Sequence, residues 1–196
     1  MMFYGDLNQI VFSPYWNIPE SIVKNELLTA MQKNPGYLKM KNIEIINGGS
    51  SIPKMRQLPG PGNSLGQVKF LFPNSYDIYF HDTNAKDIFK KDVRAVSHGC
   101  IRLADAEKMA TYLLRNNNSW TPDKVHAAMN GSKEQYVKLN PAMPVSITYF
   151  TAWVDETGQL NFRDDLYNND KKIMQMMFGN NALPITSATN DSLIKK

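Results

Sequence analysis

Residues 97–103 have the sequence Ser-His-Gly-Cys-Ile-Arg-Leu and include Cys100, the single cysteine in a chain of 196 residues. Because there is no second thiol, the chain can form no internal disulfide. A lone cysteine is most often a small buried hydrophobic residue. Gly99, however, allows an unusual backbone conformation in front of Cys100, and successive N–H groups in such a turn can point together at an oxyanion. The stretch therefore predicts either an ordinary turn or the nucleophile loop of a cysteine enzyme.

The three histidines of the chain leave two chemical interpretations of this stretch open. Cysteine catalysis needs a base or a cation that generates the thiolate, and His81 and His98 both lie within twenty residues of Cys100. The same side chains could instead bind zinc. Structural zinc sites usually combine two pairs of closely spaced ligands, and a single cysteine fits that pattern poorly. We therefore expect no metal, and we expect His126, in a predicted helix, to be structural.

Hydrophobic patterning predicts a mixed α/β chain that is rich in strands around the nucleophile stretch. Short apolar runs between turn residues predict strands, and helical spacing of apolar residues predicts helices. The predicted strands are residues 10–12, 43–46, 68–72, 76–80, 144–154 and 160–162, with 68–72 and 76–80 paired in a hairpin and a turn at 155–158. The predicted helices begin near Pro19, Asp105 and Thr121, with a short helical turn at 87–89. The helix at Asp105 would follow Cys100 directly and point its positive end at the sulfur.

The net charge by itself does not identify the partner, since a basic surface could favour nucleic acid, anionic lipid or an anionic polymer such as a cell wall. The chain has 22 basic and 18 acidic residues, a net charge of +4 and a pI of about 9.0. The basic residues are spread along the chain and form no arginine-rich stripe, so we expect no nucleic acid partner. No window reaches the ~20 apolar residues of a membrane span, and the first residues lack the basic start and apolar run of a signal peptide.

Together, His81 and residues 97–103 closely resemble the signature of L,D-transpeptidase catalytic domains. That signature is a histidine, a spacer of about fifteen residues, as between His81 and Ser97 here, then Ser or Thr, His-Gly-Cys, a hydrophobic residue and Arg or Asn. Four more stretches resemble the larger, periplasmic subgroup of this family. They are FSPYWNIP at 12–19, NPGYL at 34–38, RQLPGPGN at 56–63 and FTAWVD at 150–155. The resemblance runs from about residue 10 to residue 172, which is most of the chain.

The resemblance implies an L,D-transpeptidase-type β-sandwich core, with a helix after the nucleophile and peripheral helices. It makes Cys100 the nucleophile and His81 the general base, and the backbone carbonyl of Asp82 would orient the imidazole. His98 and Gly99 would frame an oxyanion hole with the N–H of Cys100.

The resemblance also implies a substrate cleft around the nucleophile. Arg102 and Ser97 would line it, and the Gly/Pro loop that contains Gly60 and Asn63 would shape its donor side. Gly/Pro loops are often plain turns, so the residues themselves leave the role of this loop open.

The implied reaction joins two peptidoglycan tetrapeptide stems, a donor and an acceptor, without a metal or an organic cofactor. A thioester between Cys100 and the third residue of the donor would form with loss of the terminal D-Ala. An amine of the acceptor would then produce a 3→3 cross-link. Hydrolysis by the same site, as in an L,D-carboxypeptidase, and transfer to another amine stay open, as do an inactive wall-binding module and a zinc-binding module. The family is also known for acylation by carbapenems.

Three features depart from the subgroup. Asn84 stands where Pro is common, the stretch 37–56 is short where a lid-like insertion is usual, and the wall-binding and scaffold modules that usually precede the domain are missing. We expect one catalytic domain over residues 1–186 and a flexible tail over 187–196. Because the implied substrate lies outside the inner membrane, we expect a periplasmic or cell-envelope location with an export signal upstream of Met1.

Overall fold

The computed structural model of the protein describes residues 3–47, 49, 51–95 and 99–179. The chain divides into two compact units, Met1–Ile147 and Thr148–Lys196, and each is described by itself. A single catalytic domain over 1–186 stays a prediction, and the predicted tail over 187–196 lies outside the described residues. The mixed α/β class predicted from the sequence is confirmed.

The two units contain the following elements. The strands are β1 (Phe3–Phe12), β2 (Trp16–Asn17), β3 (Ile43–Asn47), β4 (Lys54–Gln57), β5 (Val68–Leu71), β6 (Phe80–His81), β7 (Ile101–Arg102), β8 (Gln135–Ile147), β9 (Ala152–Val154) and β10 (Leu160–Phe162). The helices are α1 (Glu20–Ile22), a π-helix (Val23–Leu27), α2 (Leu28–Lys33), α3 (Tyr37–Met40), a 3-10 helix (Lys86–Lys90), α4 (Ala106–Leu114), α5 (Pro122–Met129) and α6 (Asn169–Phe178).

The main sheet of the larger unit has the strand order β7-β6-β5-β1-β8. In the antiparallel pairing of β1 with β5, Ile10 lies opposite Phe70 and Phe12 lies opposite Val68. All four side chains are fully buried, and burial of a side chain of this size stabilises the fold by about 1.5–3 kcal/mol. Helices α4 and α5 contribute to the same core through Ala110, Leu114, Val125 and Met129. This core anchors the sheet whose edge, β6 and β7, carries the site.

Helices α4 and α5 begin where their capping residues predict. The Asp105 carboxylate accepts a hydrogen bond from the N–H of Lys108 at 3.1 Å, and the Thr121 hydroxyl accepts one from the N–H of Lys124 at 3.3 Å. Each cap satisfies a backbone donor that the first helical turn leaves unpaired. Pro122 follows in the first turn of α5, where its missing N–H costs nothing.

A second, smaller core belongs to the sheet with the order β2-β4-β3 and to the helical stretch from α1 to α3. The buried side chains at its centre are Ile18, Ile22, Val23, Leu27 and Met55. The apolar spacing that predicts a helix from Pro19 is confirmed, with the π-helix as its middle part. Residues 37–56, where the resemblance implies a shortened lid-like insertion, form α3, β3 and β4. We call β2–β4 and α1–α3, with the π-helix, the small module.

Two of the predicted strands are wrong in extent. Residues 76–79 form no strand, because the Asn74 side chain accepts hydrogen bonds from the N–H groups of Tyr76 and Ile78 and donates to the carbonyl of Ile78. Such local bonds compete with strand pairing, so the predicted hairpin is reduced to the pairing of β5 with the short strand β6. The predicted strand at 144–154 is divided, since β8 ends at Ile147, opposite Phe3, the first residue of β1.

The predicted helix directly after Cys100 is also corrected. Strand β7 and a short connection follow the cysteine, and α4 begins only at Ala106. Hydrogen bonds to β6 hold the residues after Cys100 in an extended conformation. The N-terminal end of α4 is therefore separated from Cys100 by β7 and the connection that follows it.

The smaller unit contains the predicted hairpin of β9 and β10 and then α6. The Asp155 carboxylate accepts bonds from the Thr157 hydroxyl at 2.6 Å, the Asn161 amide at 2.9 Å and the N–H of Gln159 at 3.0 Å. These bonds, led by that of Thr157, lower the pKa of Asp155 to about 2. In the described part of the chain, no helix is both long enough and apolar enough to cross a bilayer.

Candidate active site

The parallel pairing of β6 with β7 brings the predicted base and nucleophile together. The N–H of Ile101 donates to the carbonyl of Tyr79 at 3.0 Å, and the N–H of Leu103 donates to the carbonyl of His81 at 2.8 Å. In this register His81 lies beside Arg102. Side chains alternate along a strand, so Tyr79 and His81 share one side of the sheet edge with Cys100 and Arg102. These four residues line one cavity of about 440 Å³.

The remaining walls of the cavity combine apolar and acidic groups. The small module contributes its apolar wall through Trp16, Pro19 and Ile22, and Leu65 lies on the side of the main sheet. The acidic side chains of the lining are Glu26 and Asp77. Among the described residues of the lining, Arg102 is the one cationic side chain, and its neighbours there are mainly apolar and acidic.

His81 is 5% exposed, and its Nδ1 is hydrogen-bonded to the carbonyl oxygen of Asp82. A carbonyl oxygen can only accept, so in the neutral ring Nδ1 carries the hydrogen and Nε2 keeps its lone pair. Burial lowers the pKa of His81, and this effect outweighs the opposing effect of the Asp82 carbonyl. The imidazole is consequently neutral and oriented, which is the state a general base needs.

The Asp82 side chain stabilises the loop that follows His81. Its carboxylate is buried, with Oδ2 accepting from the N–H of Gln67 at 3.0 Å and Oδ1 paired with Nζ of Lys86 at 2.5 Å. The same Nζ donates to the carbonyl of Ala104 at 3.0 Å, just after β7. Asp82 thus links the turn before β5 to the segment after the nucleophile. Lys86 was not among the predicted site residues, although an acid and a lysine four residues apart are a recognisable signal.

Tyr79 is a second residue that the sequence analysis missed. It lines the same cavity as Cys100, and its ring centroid lies 5.9 Å from that of His81. Burial and the negative charge of the neighbouring Cys100 raise the pKa of Tyr79 above its ordinary value. The signal was the spacing in the predicted strand at 76–80, because a residue two positions before His81 would share one side of that strand with His81.

Cys100 itself is half-buried, and its Sγ lies 4.0 Å from the carbonyl oxygen of Asp77. Gly99 has a φ of +131°, the unusual backbone conformation that was predicted for it and that side-chain-bearing residues rarely adopt; its part in an oxyanion hole stays a prediction. Ser97 and His98 lie outside the described residues, so their predicted roles stay predictions.

The remaining predicted substrate residues differ in position. Arg102 lines the cavity, and its buried Nε has no hydrogen-bond partner among the described residues. Asn63 is only 1% exposed, and its side-chain amide donates hydrogen bonds to the carbonyls of Pro14 and Leu58, at 3.0 and 2.9 Å. Gly60, with a φ of +137°, accepts from the N–H of Asn63 at 3.0 Å. Both stabilise the loop that leads to Leu65 in the cavity wall, and direct substrate contact by either residue stays a prediction.

Metal ligation was the other chemistry open to these residues. Within residues 3–47, 49, 51–95 and 99–179, no three His, Cys, Asp or Glu side chains are grouped as metal ligands would be. His98, one of the three ligands considered, is outside that range.

A family model for YkuD, the L,D-transpeptidase catalytic domain, matches residues 2–147 of the chain. The chain belongs to this family. The match confirms the resemblance drawn from the nucleophile stretch, and it ends where the larger compact unit ends. L,D-transpeptidase domains act on the peptide stems of peptidoglycan.

The L,D-transpeptidase domain is also similar to a presumed L,D-transpeptidase of Haemophilus influenzae. The two sequences are 28% identical over 186 residues, which cover 87% of this chain and 37% of the relative. The chain thus spans little more than a third of the length of this relative.

Proposed function

We propose that this L,D-transpeptidase domain forms 3→3 cross-links between peptidoglycan stems through a thioester on Cys100. The main support is that one cavity contains the only thiol of the chain together with a neutral, oriented imidazole. A thiol and a base at the wall of a substrate-sized cavity are the two groups that acyl transfer by cysteine requires.

In the first half-reaction, Nε2 of His81 takes the thiol proton and the Cys100 sulfur attacks the carbonyl carbon of the third donor residue. The resulting oxyanion accepts hydrogen bonds from backbone N–H groups of the nucleophile loop, at Gly99 and Cys100. The intermediate collapses as the bond to the terminal D-Ala breaks. His81 returns the proton to the departing D-Ala nitrogen, and a thioester remains.

In the second half-reaction, the side-chain amine of an acceptor stem attacks the thioester carbonyl. His81 takes a proton from this amine, the new amide forms, and the Cys100 sulfur leaves as a thiolate. The proton on His81 then restores the thiol. Water in place of the amine would give hydrolysis, the activity of an L,D-carboxypeptidase, so the acceptor decides which product forms.

Arg102 is suited to hold a carboxylate of the donor stem. The buried Nε lacks a partner among the described residues, and leaving such a donor unsatisfied costs about 1–3 kcal/mol. A carboxylate would satisfy it with a charge-assisted hydrogen bond. The apolar wall of Trp16 and Ile22 would accommodate the alkyl part of the third residue.

The location follows from the substrate. Polymerised peptidoglycan lies outside the inner membrane, so a periplasmic or cell-envelope location belongs to the proposed function. Fractionation of cells that express the native gene checks this location. Recovery of the native protein in the cytosol alone would separate it from the proposed substrate.

The decisive experiment is incubation of the purified protein with disaccharide tetrapeptides, followed by mass spectrometry. The expected product is a dimer that has lost one D-Ala, and Cys100→Ala should form none. Tripeptide monomers alone would show a carboxypeptidase. A wild-type protein that yields neither product, or a Cys100→Ala variant that still cross-links, would contradict the proposed function.

Carbapenems offer a probe of the nucleophile that needs no acceptor. We expect the wild type to gain the mass of one carbapenem, and Cys100→Ala to gain none. Circular dichroism of both proteins serves as the control for folding.

A further inference from the structure

Tyr79 has no role in the mechanism above, yet it lines the same cavity as the reacting sulfur. Its ring packs edge-on against His81 with 5.9 Å between centroids. Its backbone carbonyl accepts from the N–H of Ile101 at 3.0 Å. The β6–β7 pairing that forms the site thus places the phenol in one cavity with the imidazole of His81 and the thiol of Cys100.

We infer that Tyr79 is a further catalytic residue, whose hydroxyl donates a hydrogen bond to the Cys100 sulfur, stabilises the thiolate and directs it into the cavity. This inference rests on the proposed function, because it concerns the same nucleophile. It assigns no proton transfer to Tyr79. The thiol proton goes to Nε2 of His81, and the phenol keeps its own proton throughout.

The environment of the phenol explains why it acts as a donor. Burial and the adjacent negative charge raise the pKa of Tyr79, so the hydroxyl stays protonated wherever the thiolate is present. A hydrogen bond to an anion is about twice as strong as one between neutral groups. The bond consequently strengthens as the thiol ionises, and it favours the thiolate over the thiol.

The test removes one oxygen atom. Tyr79→Phe keeps the ring against His81 and deletes the hydroxyl. The rate of Cys100 alkylation by iodoacetamide is measured across pH, in the absence of any peptidoglycan. We expect the midpoint of this profile to move to higher pH by about one unit, with alkylation about tenfold slower below the midpoint.

Tyr76→Phe is the matched control. Tyr76 lies three residues earlier, is 49% exposed and packs against Phe3 with 5.2 Å between centroids, and it is not part of the cavity lining. Its profile should coincide with that of the wild type. An unchanged midpoint in Tyr79→Phe would overturn the inference. A shift to lower pH would also overturn it, because the hydroxyl would then stabilise the protonated thiol.

A second measurement applies even if Tyr79→Phe does not fold. In protein labelled with ¹³C at the tyrosine ring carbons, NMR follows the ionisation of each phenol. Loss of the sulfur in Cys100→Ala should lower the pKa of one tyrosine, since the neighbouring negative charge is removed. If no tyrosine titration differs between the two proteins, the inference fails.

These readouts are independent of transpeptidation. A shifted alkylation profile in a protein that forms no cross-links would leave the role of Tyr79 intact and refute the proposed function. Cross-linking with an unshifted profile would do the reverse.

Discussion

Gly66 and Asp82 approach each other so closely that a Cβ at position 66 would lie 2.3 Å from Oδ2 of Asp82. Gly66 also has a φ of +64°, and the next N–H, of Gln67, donates to the same carboxylate oxygen. The turn before β5 is thus shaped around the carboxylate of the residue that follows the proposed base. The loop after His81 can keep its position only if residue 66 has no Cβ, because a Cβ would displace the Asp82 carboxylate.

Gly66→Ala should therefore lower the free energy of unfolding by about 2–3 kcal/mol, through backbone strain and displacement of Asp82. Urea denaturation measures the change. Gly62→Ala is the control, because a Cβ there meets nothing within 4 Å, and it should cost less than about 0.5 kcal/mol. Equal effects of the two substitutions would show that the Asp82 contact does not restrict the turn.

The Asp82–Lys86 ion pair is expected to stabilise the site loop modestly, because the Asp82 side chain is 8% exposed and that of Lys86 is 50% exposed. A double-mutant cycle with Asp82→Asn and Lys86→Met should give a coupling energy of about 0.5–1 kcal/mol. Asp82→Asn keeps the backbone carbonyl that orients His81, so the base should remain functional.

The Asp87–Lys90 pair is a control for this cycle, since both side chains are more than 80% exposed, at 88% and 81%. Its coupling should be indistinguishable from zero at physiological salt. A coupling energy for Asp82–Lys86 as small as that of the control pair would show that this ion pair does not link the two loops.

The pH dependence of acylation should reflect the buried state of His81. A base works in its neutral form, and burial lowers the pKa of His81. Activity should consequently persist as pH falls below about 6.5, the ordinary histidine value, and decline only as pH passes through the lowered pKa. The acid limb of kcat/KM for the donor stem measures this.

His81→Gln should reduce kcat/KM by about 10²–10⁴-fold. His126→Gln is the control, because His126 is exposed and bonded to Glu107 at 3.0 Å, and it should leave the profile unchanged. An acid limb above pH 6.5 in the wild type would contradict the neutral, buried base.

Stability should depend on pH through the same residue. Between the lowered folded pKa of His81 and its unfolded value, the unfolded chain binds the extra proton, so stability rises with pH in this window. The contribution is fully present above about pH 6.5 and is lost as pH falls toward the folded pKa. Urea denaturation at several pH values should show a flatter dependence in His81→Gln than in the wild type.

Arg102 should affect donor binding more than chemistry. Arg102→Met is expected to raise KM for tetrapeptide donors about tenfold, which corresponds to the loss of one charge-assisted bond. Donors whose carboxylates are amidated one at a time identify the group concerned, because wild type and variant should bind one of these amides equally weakly. Iodoacetamide alkylation of Cys100 in the same variant reports whether the nucleophile loop is intact. If KM is unchanged for every donor, Arg102 does not bind a carboxylate.

Much of the fold was predictable because its signals are local. The caps at Asp105 and Thr121, the apolar spacing of the helix from Pro19 and the turn at 155–158 each depend on a few neighbouring residues. The predicted hairpin strand at 76–80 was wrong in extent because two local signals conflict there. A β-forming run there competes with the side chain of Asn74, and propensity alone does not decide between them.

The sequence by itself determined the family and pointed to the two groups that we propose to react, His81 and Cys100, because a lone thiol within a specific signature is a property of neighbouring residues. Only the tertiary structure decided which other side chains join them. The positions of Tyr79 and Arg102 depend on the register of β6 against β7, and that of Lys86 depends on the Asp82 carboxylate, which a distant turn encloses. Among the described residues, the Nε of Arg102 is left without a hydrogen-bond partner. Strand register is set by hydrogen bonds between segments far apart in the chain, and no pattern within either segment contains it.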